Sequence, residues 1–272
     1  MIDLTLFQLP FFQRALITGI ILGLLMAGLG VLIVLRRMSF FSDAIGHSAL
    51  TGIAIGILLE VNPFLTAFIF SLIVAASISY VRYKSNLSLD TLLGVFFSAS
   101  VAVGVILVQL TPGFQADLIS FLFGDILTVS KFDVYLTLVI TVVAIIITIF
   151  SGKTFIAIAF DESLAKAEGI PVATYELILL LLLASVIAVS IKLVGVVLVT
   201  AMLIIPAASA QNLTKSLTGM FIASMIISLI SVVVGMTASA ALNTASGPTI
   251  VLSGALIFAI SFLAKPALKA GK

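Results

Sequence analysis

The chain has no cysteine, no tryptophan and a single histidine among its 272 residues. Without cysteine there is no disulfide framework, no thiolate metal cage and no thiol nucleophile, a usage that fits an intracellular or bacterial inner-membrane setting. Without tryptophan, any interfacial aromatic belt must rest on 4 Tyr and 20 Phe. One histidine cannot build a metal triad and also act as a general base, and no His-Glu-x-x-His run occurs, which disfavours an intramembrane protease. There is no phosphate-binding loop of the Gly-x-x-x-x-Gly-Lys-Ser/Thr kind, so the chain by itself is not an ATPase of the usual type. Charge is also scarce: Asp, Glu, Lys and Arg make up 9% of residues while 62% are apolar. Soluble chains carry about 25% charged residues, so this composition belongs in a bilayer. The balance of 13 Lys plus Arg against 11 Asp plus Glu leaves a net charge of +2, no footprint for nucleic acid and no nucleic-acid partner.

What is abundant is apolar sequence in runs of bilayer length, roughly 17 to 25 residues. Spans are expected at 14–35, 43–59, 63–82, 91–110, 132–150, 174–191, 193–211, 217–236 and 247–264. The pair 174–191 and 193–211 is separated only by Lys192 and Gly195, and one of the two is a candidate for a bent or re-entrant element, hence eight or nine spans. The run Ala15 to Leu35 is too long for a signal-peptide core and is read as a retained span. The longest stretch without a span, roughly Gly152 to Ala173, is far below domain size. The expected organisation is therefore an all-α polytopic membrane protein in which 1–272 forms a single transmembrane domain.

Basic residues resist translocation and mark the cytoplasmic side. With nine spans and an outside N-terminus, Arg36, Arg37, Arg82, Lys84, Lys153, Lys166, Lys215, Lys265, Lys269 and Lys272 fall inside, while Arg14, Lys131 and Lys192 fall outside. Glu60, Asp117, Asp125 and Asp133 then form an outer acidic rim, which a cationic substrate tolerates and which sorting of basic residues alone also produces. The outer segment Leu110 to Lys131 carries the turn signal Thr111-Pro112-Gly113 and a partly apolar stretch, Leu118 to Leu127, expected at the interface. The inner segment Phe160 to Pro171 reads as a short amphipathic helix: Asp161 caps it, Leu164 and Ala167 share a face, and Gly169 with Pro171 ends it. Such a helix is either a simple connector or a surface for another subunit to push on.

His47 follows Asp43 by four residues, which places both side chains on one helical face. If that helix begins near Met38, His47 lies about 13 Å along it, close to the bilayer midplane. An ionised carboxylate at such depth costs at least ~2.5 kcal/mol and calls for a bundle interior or an aqueous path. Imidazole nitrogen and carboxylate oxygen are both ligands for first-row divalent cations. One chain supplies two ligands; two copies across a twofold axis supply four, with a charge of about −2. The plainer alternative is a pair that only fixes helix packing. A Ser-His dyad of His47 with Ser42 or Ser48 lacks an evident oxyanion cradle. Gly19, Gly23, Gly28 and Gly30 are expected to be packing contacts. Lys192 and Glu176 are expected at span ends, snorkelling, rather than as a buried pair. A kink is expected at Pro206, before Gln211 and Asn212, and Met202 to Ile205 are candidates for a hydrophobic constriction.

Several blocks, in order along the chain, resemble the zinc and manganese permease family of ATP-binding-cassette importers. They are Arg36-Arg37-Met38-Ser39 through Asp43, His47, Ser48 and Gly52; Asp90 to Gly94; Leu122-Phe123-Gly124-Asp125-Ile126-Leu127; and Phe160-Asp161 with Ala165 and Gly169-Ile170. The most specific are Lys192 to Val199, Ile204-Ile205-Pro206-Ala207-Ala208 and Gly247-Pro248-Thr249. Asp125 departs from the asparagine frequent in the family. The resemblance implies a type II importer-like permease in the bacterial plasma membrane, working as a homodimer with two ATP-binding subunits and an extracytoplasmic metal-binding protein. It implies that Asp43 and His47 coordinate the transported ion, zinc, manganese or sometimes iron, and that no cofactor is bound permanently. It also implies that the loop at about 153–173 is the coupling segment, with Phe160, Asp161, Leu164, Ala165, Gly169 and Ile170 facing the ATPase. A neutral imidazole binds metal and an imidazolium does not, so transport is expected to fall as pH drops through the His47 pKa. The rival from another class is a stand-alone secondary transporter or channel for divalent cations using the same pair; a closer one is a chelate permease of the same architecture.

Overall fold

A computed structural model describes residues 9–85, 87–110 and 130–270. Among these the regular structure is entirely α-helical. The helices are α1 (Pro10–Leu35), α2 (Phe41–Leu58), α3 (Pro63–Lys84), α4 (Leu89–Leu110), α5 (Lys131–Phe160), α6 (Glu162–Ala167), α7 (Val172–Leu213), α8 (Leu217–Leu242) and α9 (Ser246–Ala270). All but α6 contain a stretch long and apolar enough to cross a membrane, which makes 8 candidates among the described residues. The expected stretch Leu118 to Leu127, with Asp117 and Asp125, lies outside the described residues.

The pair expected at 174–191 and 193–211 is a single 42-residue helical run broken at Gly195, whose φ of 78° and ψ of 161° are not helical. At 1.5 Å per residue such a run reaches about 63 Å, twice the hydrocarbon thickness, so it holds two span-length segments rather than one. Gly195 is the break because only glycine takes that left-hand φ without a Cβ penalty. The kink expected at Pro206 is not what interrupts the run: Pro206 keeps helical dihedrals and lies buried.

The chain divides into two compact units. The first comprises 1–34, 123–141 and 193–272. In it α1 lies antiparallel to α8: Ser224 Oγ donates to the Ala27 carbonyl at 3.0 Å, and a Cβ on Gly23 would meet Ser228 at 2.8 Å. Gly30 is pressed against the Leu203 carbonyl, where no side chain has room. Met202 and Leu203 are buried by this packing, so these two residues are core rather than a constriction. The segment after Gly195 runs parallel to α9, with Asn212 Nδ2 donating to Ser261 Oγ at 3.3 Å. Arg14 and Lys131 line one open cavity, so the starts of α1 and α5 lie at the same end. Asp133 is buried, not part of a free acidic rim: its Oδ2 accepts from the Ser130 amide and hydroxyl at 3.1 and 2.7 Å, a capping box at the start of α5.

The second unit comprises 35–122 and 142–192. Its centre is α2, packed antiparallel on α3 and parallel to α4. The α2–α3 turn is encoded locally: Asn62 Oδ1 accepts from the Phe64 and Leu65 amides at 3.0 and 3.2 Å, and Pro63 supplies the first helical φ. Across the hairpin Gly52 faces the Ala67 backbone so closely that an added Cβ would sit 2.6 Å from its Cα. The first half of α7 crosses the same layer as α3, since Glu176 meets Arg82 near one end of α3 and Lys192 lies 5.0 Å over the Phe64 ring at the other. The residues Gly152-Lys153-Thr154 lie inside α5 and form no loop.

Candidate functional site

Asp43 and His47 stand in the first half of α2, both half-buried, while Ser42, Ala44, Ile45, Gly46 and Ser48 around them are buried. Arg37 takes a left-handed φ of 54°, which ends α1 and delays the start of α2 to Phe41 instead of Met38. His47 therefore lies about 9 Å along its helix rather than about 13 Å. The imidazole packs edge-on against Phe97 of α4 at 4.8 Å between centroids, and Phe97 also meets Phe40 at 4.9 Å. Next to it, Ser48 Oγ donates to the Ala44 carbonyl at 2.7 Å and lies 2.9 Å from Ser100 Oγ. With its proton so used, Ser48 accepts from Ser100. Thr51 donates to the Ser100 carbonyl at 2.7 Å, which fastens α4 to the same side of α2. Ser42 Oγ turns back to the Ser39 carbonyl at 3.4 Å. Both serines of the conceivable dyad are thus engaged in helix packing and point to no nucleophile.

No group of three or more His, Cys, Asp or Glu occurs among the described residues. Asp43 and His47 offer one oxygen donor and one nitrogen donor from a single helical face, a set suited to zinc, manganese or iron but too small to enclose any of them.

The short inner helix α6 begins and ends as its sequence requires. Asp161 Oδ1 accepts from the Ser163 and Leu164 amides at 2.9 and 3.0 Å. At the other end Gly169 adopts φ 81°, with Gly169 N–H bonded to the Lys166 carbonyl at 3.1 Å and Ile170 N–H to the Ala165 carbonyl at 3.1 Å, a Schellman closure. The buried face differs from the expected one. Ala165 is buried against Ile158 and Val172, with Ile170 and Tyr175 around it, while Leu164 and Ala167 point outward. Phe160 and Leu164 are 70% and 57% exposed, large apolar side chains presented beside a polar helix. Two residues between Ala165 and the end of the helix leave no room for a wider amphipathic stripe.

Sequence reasoning missed a charge cluster at this end of the unit. Arg82 reaches Glu162 Oε2 at 2.8 Å with one terminal nitrogen and Glu176 Oε1 at 2.7 Å with the other. Arg36 lies 3.7 Å from Glu176 Oε2, both nearly sealed from solvent, and Lys166 pairs with Glu162 at 2.8 Å. Glu176 is therefore a buried, doubly paired carboxylate, not a snorkelling one. The Arg82 contact with Oε1 is an ion pair by distance and not a well-aligned hydrogen bond. Burial works against ionisation of Glu162, but the hydrogen bond from Lys166 and the charge of Arg82 outweigh it and hold its carboxyl below the usual range. Burial draws Arg36 below its ordinary value, opposed chiefly by the charge of Glu176. An open cavity of about 700 Å³ lies alongside, lined by Arg82, Tyr83, Glu162, Lys166, Thr174 and Glu176. The signal available in the sequence was the one acid, Glu176, set near the start of an otherwise apolar span, opposite arginines at the ends of two others.

Among the described residues, eight long apolar helices, one of them broken, with a short capped helix held between two of them, define a polytopic α-helical membrane protein. The pattern of the ABC 3 transport family matches residues 8–265, and the chain belongs to that family. It is 36% identical over 247 residues to the high-affinity zinc uptake system membrane protein ZnuB of Haemophilus influenzae, covering 91% of this chain and 95% of that protein. It is 37% identical over 261 residues to the manganese transport system membrane protein MntC of Listeria monocytogenes, covering 96% and 93%. Among solved structures, PsaBC from Streptococcus pneumoniae in complex with Fab superposes with a TM-score of 0.83 at 35% identity, covering 98% of this chain and 97% of the matched one. The resemblance to metal-ion permeases of ATP-binding-cassette importers, legible in the blocks from Arg36 to Thr249, is borne out at the level of family and fold.

Proposed function

We propose that the chain is the membrane-spanning subunit of an ATP-driven importer of divalent transition-metal ions, zinc or manganese and by the same ligand chemistry iron, in the bacterial plasma membrane. Residues 1–272 act as one permease domain, and within 153–173, whose first part is the end of α5, the short helix α6 and the residues flanking it serve as the coupling segment. Two copies pair, two ATP-binding subunits dock on the inner side, and an extracytoplasmic metal-binding protein delivers the ion. Asp43 and His47 of both copies hold the ion in transit, and the copies alternate between outward and inward access as ATP is turned over. Four nitrogen and oxygen ligands carrying about −2 charge balance a divalent ion while leaving its release possible.

The observation that carries this reading is the placement of an Asp-His pair on one half-buried face of α2 in a chain of this family. The coupling role of α6 is supported by its outward Phe160 and Leu164 and by the inward Ala165 that anchors it. In this role Asp161 and Gly169 shape the helix, and Ile170 closes it against the unit.

The test is uptake of zinc and of manganese by the complete complex reconstituted in vesicles. Asp43→Ala and His47→Ala should each abolish ATP-dependent uptake while the permease still inserts and pairs. Near-normal uptake in both variants removes the site. Leu164→Glu should uncouple ATP hydrolysis from transport without altering metal binding, and survival of both would remove the coupling assignment. Uptake by this chain alone, driven by an ion gradient without ATP-binding subunits, would favour a stand-alone transporter or channel.

A further inference from the structure

The charge cluster joins parts of the second unit that are distant in sequence. Arg36 precedes α2, Arg82 ends α3, Glu162 opens α6 and Glu176 stands in the first turns of α7. Removing charged groups from water is costly and is offset only when each is held by an opposite charge, so such a cluster is a poor way merely to hold helices together. Apolar side chains of the same size would serve that purpose at least as well.

Resting on the function proposed above, we propose that Arg36, Arg82, Glu162 and Glu176 form a strut that carries displacement of α6 to α2, and so act as positioning residues for the Asp43–His47 pair. Three features support it. First, beyond its chain links to α5 and α7, α6 is held by Ala165, its one buried residue, and by the ion pair of Glu162 with Arg82, and the helix is six residues long. A pull on α6 is therefore felt at Glu162, and through it at Arg82. Second, Arg82 divides its two terminal nitrogens between Glu162 and Glu176, so α6 and α7 cannot move relative to α3 without breaking one of these pairs. Third, two routes lead on to α2. Glu176 holds Arg36, whose neighbour Arg37 makes the left-handed turn that sets the start of α2. The other route runs along α3 itself: its start, about 22 Å from Arg82 along the helix, is held to α2 by the backbone contact of Gly52 with Ala67 and by Gly56 against Pro63 and Thr66. Asp43 and His47 ride on that helix. Lys166 takes no part, being exposed and bonded to Glu162 alone.

The planar fork of arginine is essential to this geometry, because a lysine is a single point charge and cannot hold two carboxylates in fixed directions. Arg82→Lys keeps the net charge and so protects the fold, while Glu162→Gln removes the link from the solvent-facing side. In the complete complex in vesicles, ATP hydrolysis and zinc uptake are measured on the same preparation. Both variants should retain metal-dependent hydrolysis and lose about tenfold in ions moved per ATP, a loss within the range usual for coupled sites. Zinc binding to the purified permease, read by titration, should be unchanged. Lys84→Gln, which removes a neighbouring exposed charge outside the cluster, should leave the ratio as in the unaltered complex. The strut is refuted if ions per ATP are unchanged in both Arg82→Lys and Glu162→Gln, or if hydrolysis and uptake fall in parallel, which is the mark of lost docking or folding. Absence of ATP-dependent uptake in the unaltered complex would instead overturn the proposed function itself.

Discussion

A methyl group added at two glycines of the second unit should act in opposite directions. At Gly52 on α2, an alanine Cβ would lie 2.6 Å from Ala67 Cα, 2.9 Å from the Thr66 carbonyl oxygen and 3.0 Å from Ala67 N. All three are backbone atoms, which no side-chain rotation can clear. Ordinary carbon contacts begin near 3.5 Å, so α2 and α3 must separate by roughly 1 Å, and overpacking of this kind costs about 1–3 kcal/mol. At Gly94 on α4 the same Cβ would meet nothing within 4 Å. There the gain in helix propensity stabilises by up to about 1 kcal/mol. The assay is thermal unfolding of the purified permease in detergent, followed by loss of the monodisperse peak and by helical circular dichroism, since tryptophan fluorescence is not available to this chain. Gly52→Ala should unfold at lower temperature and Gly94→Ala at equal or higher temperature. Equal midpoints for Gly52→Ala and the unaltered chain would show that the α2–α3 seam has room for a methyl group and would refute the close-packing argument. Because α2 carries Asp43 and His47, Gly52→Ala should also lower metal uptake more than its loss of folded protein explains.

Other expected outcomes follow from the charge cluster and the caps. Glu176→Gln leaves Arg36 sealed from solvent beside Arg82 without a carboxylate, and should destabilise by about 3–5 kcal/mol, seen as loss of folded yield in membranes. Glu162→Gln should cost under about 1 kcal/mol by the same measurement, because Glu162 is a third exposed and solvent screens its pairs. Glu162 has a folded pKa below its unfolded one, so its contribution is present above the unfolded carboxylate range and is lost as pH falls through the lower folded value. An acid titration of thermal stability should show this loss in the unaltered chain and not in Glu162→Gln. Asn62→Ala removes the oxygen that accepts from Phe64 and Leu65, and should lower stability by about 1 kcal/mol.

Much of the architecture was legible because its causes are local. Bilayer-length apolar runs between Arg14 and Phe262 already marked the spans, since a helix in hydrocarbon must satisfy its own backbone. Asp161, Gly169 and Pro171 marked α6 because capping acts over one turn. The Asp43–His47 spacing placed both side chains on one face by helical geometry alone. What remained hidden depended on neighbours distant in sequence. The reading of Glu176 as a snorkelling acid failed because its partners, Arg36 and Arg82, come from other helices. Asp133 looked like a rim acid until Ser130 turned it into a cap.

By itself, then, the order of residues determined that this protein lives in a bilayer, which stretches of it span, and which acid and imidazole share a helical face. Tertiary structure decided which charges meet, which face of α6 turns inward, and that the long α7 run breaks at Gly195 rather than at Pro206. The physical reason is one of range. Backbone hydrogen bonds, caps and hydrophobic length act within a few residues, whereas ion pairs and close helix packing depend on surfaces that exist only once the helices have assembled.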